Sequence, residues 1–245
     1  MRNIRLNVEY DGTRYQGWQR QKNTHATLQE TIEEVLARVL QERVKLIGSG
    51  RTDAGVHALA QVANFKTSCG IALNKLKQAL NSLLPKDIVV TGAKEVDLKF
   101  HSRFSAKSKT YRYTILNRKY PSAIRRNSAY FLPCKLHFKS MQKAARILLG
   151  RHDFRSFQAS DKRERGSVRR IEKIRLFKEG DFIFIDIRAN AFVYKMARNI
   201  VGTLVEIGRR NEPPENMRKI LTSRNRKFAG PTVPGRGLCL LRVRY

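Results

Sequence analysis

Acidic residues are scarce in this chain. Across 245 residues, 20 aspartates and glutamates face 50 lysines and arginines, a formal net charge of +30. Such an imbalance repels itself and calls for a polyanionic partner: a nucleic acid, an anionic membrane or another anionic polymer. No apolar run approaches the roughly 20 residues that a membrane-spanning helix needs. Near the N-terminus, Arg5, Asn7 and Glu9 interrupt any signal-peptide core. The three cysteines, Cys69, Cys134 and Cys239, are odd in number and far apart, and no CxxC, HExxH or zinc-finger spacing links them to the five histidines. These absences predict a reduced, cytoplasmic, zinc-free protein away from the membrane, with its cysteines as small core residues. Disorder is excluded as well, because hydrophobic residues make up 41% of the chain. RNA or DNA is the partner that fits.

Periodicity supplies the elements. Ile4, Leu6, Val8 and Tyr10 alternate over residues 3–10 and predict a half-buried strand ended by Asp11-Gly12. Thr27 and Glu30 have capping-box spacing ahead of a helical stripe of Leu28, Ile32, Val35, Leu36, Val39 and Leu40. Short strands are expected at 44–49, 61–67 and 87–93, with a helix through Leu73, Leu76, Leu80, Leu83 and Leu84 stopped by Pro85. The second half repeats this vocabulary. Tyr111, Tyr113 and Ile115 share a strand face, a helix spans 137–149, and strands lie near 171–177 and 181–189. The apolar run 182–185 suits a strand buried on both faces. A long helix then turns Val193, Met196, Ile200, Leu204 and Ile207 inward, and a strand closes the chain at 238–243. The predicted class is α+β, with helices covering mostly antiparallel sheet. Two similar halves are expected, 1–106 and 107–245.

Basic clusters fall in expected loops: Arg118-Lys119 with Arg125-Arg126, residues 162–170, and residues 224–227. Lysines and arginines on loops can follow a phosphate backbone, although any one such cluster also fits a solvated surface. No RRM aromatic motif, KH loop or helix-turn-helix pattern appears, which favours an enzyme acting on nucleic acid over a plain binding module.

Because carboxylates are few, their positions carry information. Asp53 is the one carboxylate between Glu42 and Asp87, and it stands in Gly48-Ser49-Gly50-Arg51-Thr52-Asp53-Ala54-Gly55-Val56-His57. Glycines on either side allow a sharp turn and a close approach to a ligand, and Arg51 places a cation two residues away. An aspartate in such a loop commonly does no more than cap a turn. A metal-dependent nuclease would need clustered carboxylates, so a lone one suits covalent attack on a base or sugar carbon.

The segment Gly50 to His57 resembles the active-site motif of the tRNA pseudouridine synthase A family. Similar segments follow in order: Tyr10-Asp11-Gly12 with Gly17-Trp18-Gln19, Phe100 to Ala106, Tyr111-Arg112-Tyr113, Asp153-Phe154 with Ser156-Phe157, Asn190-Ala191-Phe192 through Arg198 to Gly202, and Gly237-Leu238. The resemblance spans essentially the whole chain and departs at Ala58, Lys195, Ala197 and Cys239.

The resemblance implies the pseudouridine synthase fold, with a cleft between the two halves, and a homodimer acting on the anticodon stem-loop of tRNA. There, uridine at the positions conventionally numbered 38, 39 and 40 is isomerised to pseudouridine without metal or cofactor. Asp53 matches the catalytic aspartate, attacking either C6 of the base or C1′ of the sugar. Tyr111 matches a tyrosine that stacks on the base and can take the C5 proton; from spacing alone it would be a core aromatic beside Tyr113. Arg198 matches the arginine that pairs with the aspartate, Arg51 the arginine that helps displace the target nucleotide, and Leu238 an apolar wall of the base pocket. His57 and His101 read as structural histidines. The rival readings are a non-catalytic RNA chaperone on the same fold, a structural RNA-packing protein, and a related synthase directed at other RNAs.

Overall fold

The computed structural model of the protein describes residues 1–160 and 166–245. In chain order the elements are β1 (Arg2–Tyr10), α1 (Leu28–Leu40), β2 (Ile47–Gly48), β3 (His57–Thr67), α2 (Leu73–Leu83), β4 (Ile88–Val96), β5 (Ser108–Leu116), β6 (Tyr130–Phe131), α3 (Phe138–Arg146), β7 (Gly150–Asp153), β8 (Val168–Glu179), β9 (Phe182–Ala189), α4 (Met196–Arg210), α5 (Asn216–Ser223) and β10 (Leu238–Arg244). Two compact units divide them: Met1–Lys107 with Cys239–Tyr245, and Ser108–Leu238. The closing residues, expected with the C-terminal half, thus count with the first unit, because Cys239 and Leu240 pair in parallel with His57 and Ala58 of β3.

In the first unit β1 runs antiparallel to both β3 and β4. Its alternation works as predicted: Ile4, Leu6, Val8 and Tyr10 are all buried. Leu28, Ile32 and Leu36 seal the inner face of α1, each burial contributing about 2 kcal/mol. Val39 sits at the margin of that stripe. Thr27 caps the helix, accepting the Glu30 N–H at 3.4 Å. The reciprocal half of the expected capping box is replaced. The Thr27 N–H donates to His25 O (2.8 Å), and the Glu30 carboxylate is drawn to Arg20 (3.2 Å) and His25 (3.0 Å). In α2 Leu76 and Leu80 are buried, but Leu83 is exposed and Leu84, past the helix end, turns inward instead. Pro85 forces that extended exit. The expected strand at 44–49 contracts to Ile47–Gly48.

In the second unit β9 lies between β5 and β8, antiparallel to each, and β7 pairs outside β8. The run 182–185 is central, as expected, but not sealed on both faces. Ile183, Ile185 and Ile187 are buried, whereas Phe182 and Phe184 are only partly covered. Phe184 stacks on Phe177 with centroids 5.1 Å apart. Arg112 lies 5.2 Å from the Phe184 ring and grips Asp186 through two bonds of 2.7 and 2.8 Å. On the inner side α4 is buried along nearly its whole length, from Met196 to Gly208. The short strands β6 and β7 and the helix α5 have no counterpart among the sequence expectations. None of the three cysteines is disulfide-bonded, and none reaches the core. Cys239, for instance, faces away between buried Leu238 and Leu240, as the two-residue strand period requires. Among the described residues no helix is long and apolar enough to cross a membrane.

The exit of β7 is held by charge. Asp153 accepts the Ser167 hydroxyl (2.5 Å) and the Arg155 N–H (3.0 Å), with Arg224 at 3.5 Å. Burial works to raise the pKa of this carboxyl, but these donors and cations outweigh it and hold it below its usual value. A depressed carboxyl stabilises the fold above its unfolded pKa, and the benefit is lost as pH falls through the folded one. Asp153→Asn should therefore cost about 1 kcal/mol at pH 7, and thermal melts should show the gap to wild type closing below about pH 4. A gap that is independent of pH would assign the cost to packing.

Candidate active site

The loop that carries Asp53 leaves β2 and enters β3, and residues 10–18 grip it from one side. The Trp18 N–H donates to Thr52 O (2.9 Å), the Tyr10 hydroxyl meets Thr52 Oγ1 (2.8 Å), and the Gly55 N–H donates to Tyr15 O (3.3 Å). Within the loop the Val56 N–H closes a turn onto Asp53 O (3.2 Å). On its other flank Gln61 bridges the Ser49 hydroxyl (2.7 Å) and Gly50 O (2.9 Å). Thr52 and Val56 are thereby buried, Asp53 is half-buried and Arg51 exposed. A carboxylate on backbone fixed through the Thr52 carbonyl and its own is preorganised rather than mobile.

Two glycines make this grip possible. A Cβ on Gly12 would lie 2.0 Å from Val56 O, and one on Gly17, whose φ is +97°, would lie 2.6 Å from Thr52 O. Only a residue without a side chain lets the strands of backbone approach so closely. His57 completes the arrangement. Its Nδ1 lies 3.1 Å from the Gly12 nitrogen and accepts that N–H, with Asp11 Oδ1 at 3.0 Å. Burial works to raise the Asp11 pKa, but donation from the Thr13 hydroxyl and N–H outweighs it and keeps it below its usual value. The structural role expected of His57 matches this geometry. Behind Asp11, Asp87 accepts the Tyr15 hydroxyl (2.7 Å) and pairs with Arg14 (3.3 Å).

The other sequence-predicted residues belong to the second unit. Tyr111, on β5, is 8% exposed and packs its ring edge-on against Phe192 with centroids 4.9 Å apart. Arg198 occupies the first turn of α4, on the side away from buried Met196 and Ile200, and donates from Nε to Val233 O (2.8 Å). Leu238, buried, follows the turn Gly235–Gly237. Tyr113, two residues beyond Tyr111, is 1% exposed and donates its hydroxyl to Pro234 O (2.8 Å). Burial pushes its phenol far above the usual range, against the pull of Arg198 and Arg236.

One supporting residue escaped the sequence reading. Asn199, fully buried beside Arg198, donates to Phe157 O (2.8 Å) and accepts from the Thr232 hydroxyl (2.6 Å) and Arg226 (3.3 Å). It ties residues 226–232 to α4, and the chain then supplies the Val233 carbonyl that orients Arg198. Its sequence signals are its place in the family-like segment Arg198 to Gly202, which carried no role for it, and an amide inside an apolar helical stripe. The same contacts take one member out of the expected cluster at 224–227: Arg224 and Lys227 are exposed, but Arg226 is not free to follow a phosphate backbone. Arg226 also donates to Ala229 O (3.0 Å) and is turned inward, and desolvation lowers its pKa. Of the cluster expected at 162–170, residues 162–165 lie outside the described residues, and Arg169 and Arg170 belong to β8.

The close approach at Gly12 is open to direct trial. Gly12→Ala forces a Cβ into a backbone oxygen and should cost about 2 kcal/mol, measured by urea unfolding. A variant as stable as wild type would show that the loop yields at that point.

The comparisons with known proteins bear on the whole of this arrangement. A family model described as tRNA pseudouridine synthase matches residues 7–105 and 144–245. A protein of Acetivibrio thermocellus named tRNA pseudouridine synthase A is 47% identical over 245 residues, covering 100% of both chains. One of Clostridium perfringens named tRNA pseudouridine synthase A 2 is 48% identical, again over 100% of both. Among solved structures, a chain of a Cbf5-Nop10-Gar1 complex aligns with 97% of this chain and 48% of its own, at 14% identity and a TM-score of 0.38, too loose a superposition to build on. The matched stretches include the Asp53 loop, the segment that grips it, and the helix of Arg198, and on that full-length likeness the chain belongs to the tRNA pseudouridine synthase family.

Proposed function

We propose that this protein isomerises uridine to pseudouridine in the anticodon stem-loop of tRNA, at positions 38–40, as a cytoplasmic homodimer with Asp53 as nucleophile. The observation that carries the reading is the Asp53 loop in a member of this family. A single carboxylate stands on backbone clamped at Thr52 and at its own carbonyl, with Arg51 exposed on the same loop.

The chemistry follows from the bonds exchanged. The C1′–N1 bond breaks, the uracil turns, and a C5–C1′ bond forms; the C5 proton is lost and N1 is protonated. Asp53 bonds transiently either to C6 of the base, leaving by elimination after C5 has joined the sugar, or to C1′, displacing N1 and being displaced in turn by C5; Tyr111 stacks on the uracil and takes the C5 proton. Arg198 stabilises the charge of the carboxylate, and Leu238 walls the base pocket. The exchange is redox-neutral and releases no fragment, so its atom balance calls for no cofactor. A uridine paired in a stem must first be flipped out, at a cost of a few kcal/mol. Arg51 serves that displacement, and phosphate contacts elsewhere on the +30 chain offset the distortion.

Tritium release from tRNA labelled at uridine C5 tests this reading. Wild type should release tritium, and Asp53→Asn should lose turnover by at least about 10⁴-fold while still binding tRNA. Arg198→Ala should slow turnover about 100-fold with a much smaller change in tRNA affinity. Release by Asp53→Asn would remove Asp53 from the chemistry. Tight tRNA binding with no release by wild type would instead favour an RNA chaperone.

A further inference from the structure

The segment Phe100 to Ala106 has no part in the chemistry above, yet it is one of the most firmly built pieces of the first unit. Residues 101–105 form a tight turn after β4. The Ser105 N–H donates to His101 O (2.9 Å), and the His101 N–H to the Ser105 hydroxyl (3.2 Å). Ser102, fully buried, gives its N–H and its hydroxyl to Asn64 Oδ1 of β3 (2.9 and 2.6 Å). Asn64 in turn donates to Asn3 Oδ1 of β1 (2.9 Å), and Asn3 donates to the carbonyls of Asp97 (2.8 Å) and Phe100 (3.0 Å). The Tyr245 hydroxyl closes on Ser102 O (2.8 Å).

What this pedestal presents is an aromatic ring. Phe104 is 77% exposed, with exposed Arg103 beside it. The His101 ring lies 4.3 Å from the Phe104 ring, inclined by 34°. His101 Nδ1 also accepts the N–H groups of Arg103 (3.1 Å) and Phe104 (3.3 Å), so one imidazole sets both the backbone and the ring. The Arg103 guanidinium stands 5.8 Å from the ring centroid. A lone exposed apolar residue is ordinary. A ring braced by an imidazole and flanked by a guanidinium has the make-up of a nucleobase-stacking platform.

We propose that Phe104, braced by His101 and flanked by Arg103, stacks on an unpaired nucleobase of the RNA substrate. The proposal rests on the tRNA reading above and deepens it. Charge selects RNA over a second copy of the chain at this ring, because a two-fold self-contact through Phe104 would set the exposed Arg103 of one copy against that of the other. The fixed turn means that little backbone freedom is lost when a base arrives.

A tRNA transcript and the full-length protein provide the test. Phe104→Ala should raise the Kd for tRNA about tenfold. Phe104→Leu, apolar but without a π face, should do no better, and Phe104→Trp should bind like wild type. The single native tryptophan, Trp18, is buried, so quenching of Phe104→Trp fluorescence by tRNA reads the stacking directly. An unchanged Kd in Phe104→Ala, or no quenching in Phe104→Trp, overturns the proposal. So does a Phe104→Ala protein that loses a wild-type dimer in sedimentation, which would assign the ring to a contact between copies. Failure of the tRNA reading is separately visible: wild type would release no tritium, whether or not tRNA quenches the Phe104→Trp signal.

Discussion

The arrangement around Asp53 depends on one constraint, the close approach of residues 10–18 to the backbone of residues 52–56. Gly12 and Gly17 permit it, and the bonds from Trp18 to Thr52 and from Gly12 to His57 hold it. A reaction that exchanges one glycosidic bond for another at the same sugar carbon leaves little tolerance for a wandering nucleophile. In the role proposed for Asp53, fixing the peptide groups on both sides of it is a way to meet that demand. The cost falls on the glycines, which lower stability in the unfolded-chain comparison and are repaid by the hydrogen bonds that they make possible.

The basic residues divide into two populations. Some are committed to the fold: Arg112 to Asp186 and two aromatic rings, Arg226 to Asn199 and Ala229, and Arg2 to Glu95 and the carbonyls of Cys69 and Ile71. Their charge contributes to the long-range field, but their donors are spent inside the protein. Others, such as Arg103, stand at the surface. Net charge therefore predicts a polyanionic partner far better than it predicts which side chains touch it. A salt-dependence slope for tRNA binding counts the second population alone.

Legibility followed periodicity. The stripes of α1 and α4 and the alternation of β1 were readable because burial repeats along each of them, and the Asp53 loop was readable because its residues are unusual together. Polar burial was not readable in the same way. Asn199, Asn64 and Asn3 are amides with several partners drawn from distant segments, and nothing local to any of them announces those partners. The same holds for Arg226, whose neighbours in sequence suggested a solvated cluster. Leu83 failed for another reason: Pro85 turned the chain before the helical stripe could continue, so Leu84 took the buried place.

This division has a consequence for the second unit. Arg198 lies in a helix that periodicity predicts well, and its spacing alone says that it points away from the apolar stripe. What periodicity leaves open is whether such an arginine is solvated or held. The Nε bond to Val233 O answers that, and Asn199 helps to hold the carbonyl in place by anchoring residues 226–232 through the side chains of Arg226 and Thr232. The guanidinium is thus oriented by a chain of contacts that begins at its own neighbour in sequence. A buried amide next to a charged residue on an otherwise apolar helix is a pattern worth reading as support for that charge, because an amide buried there without such work would cost more than it returned.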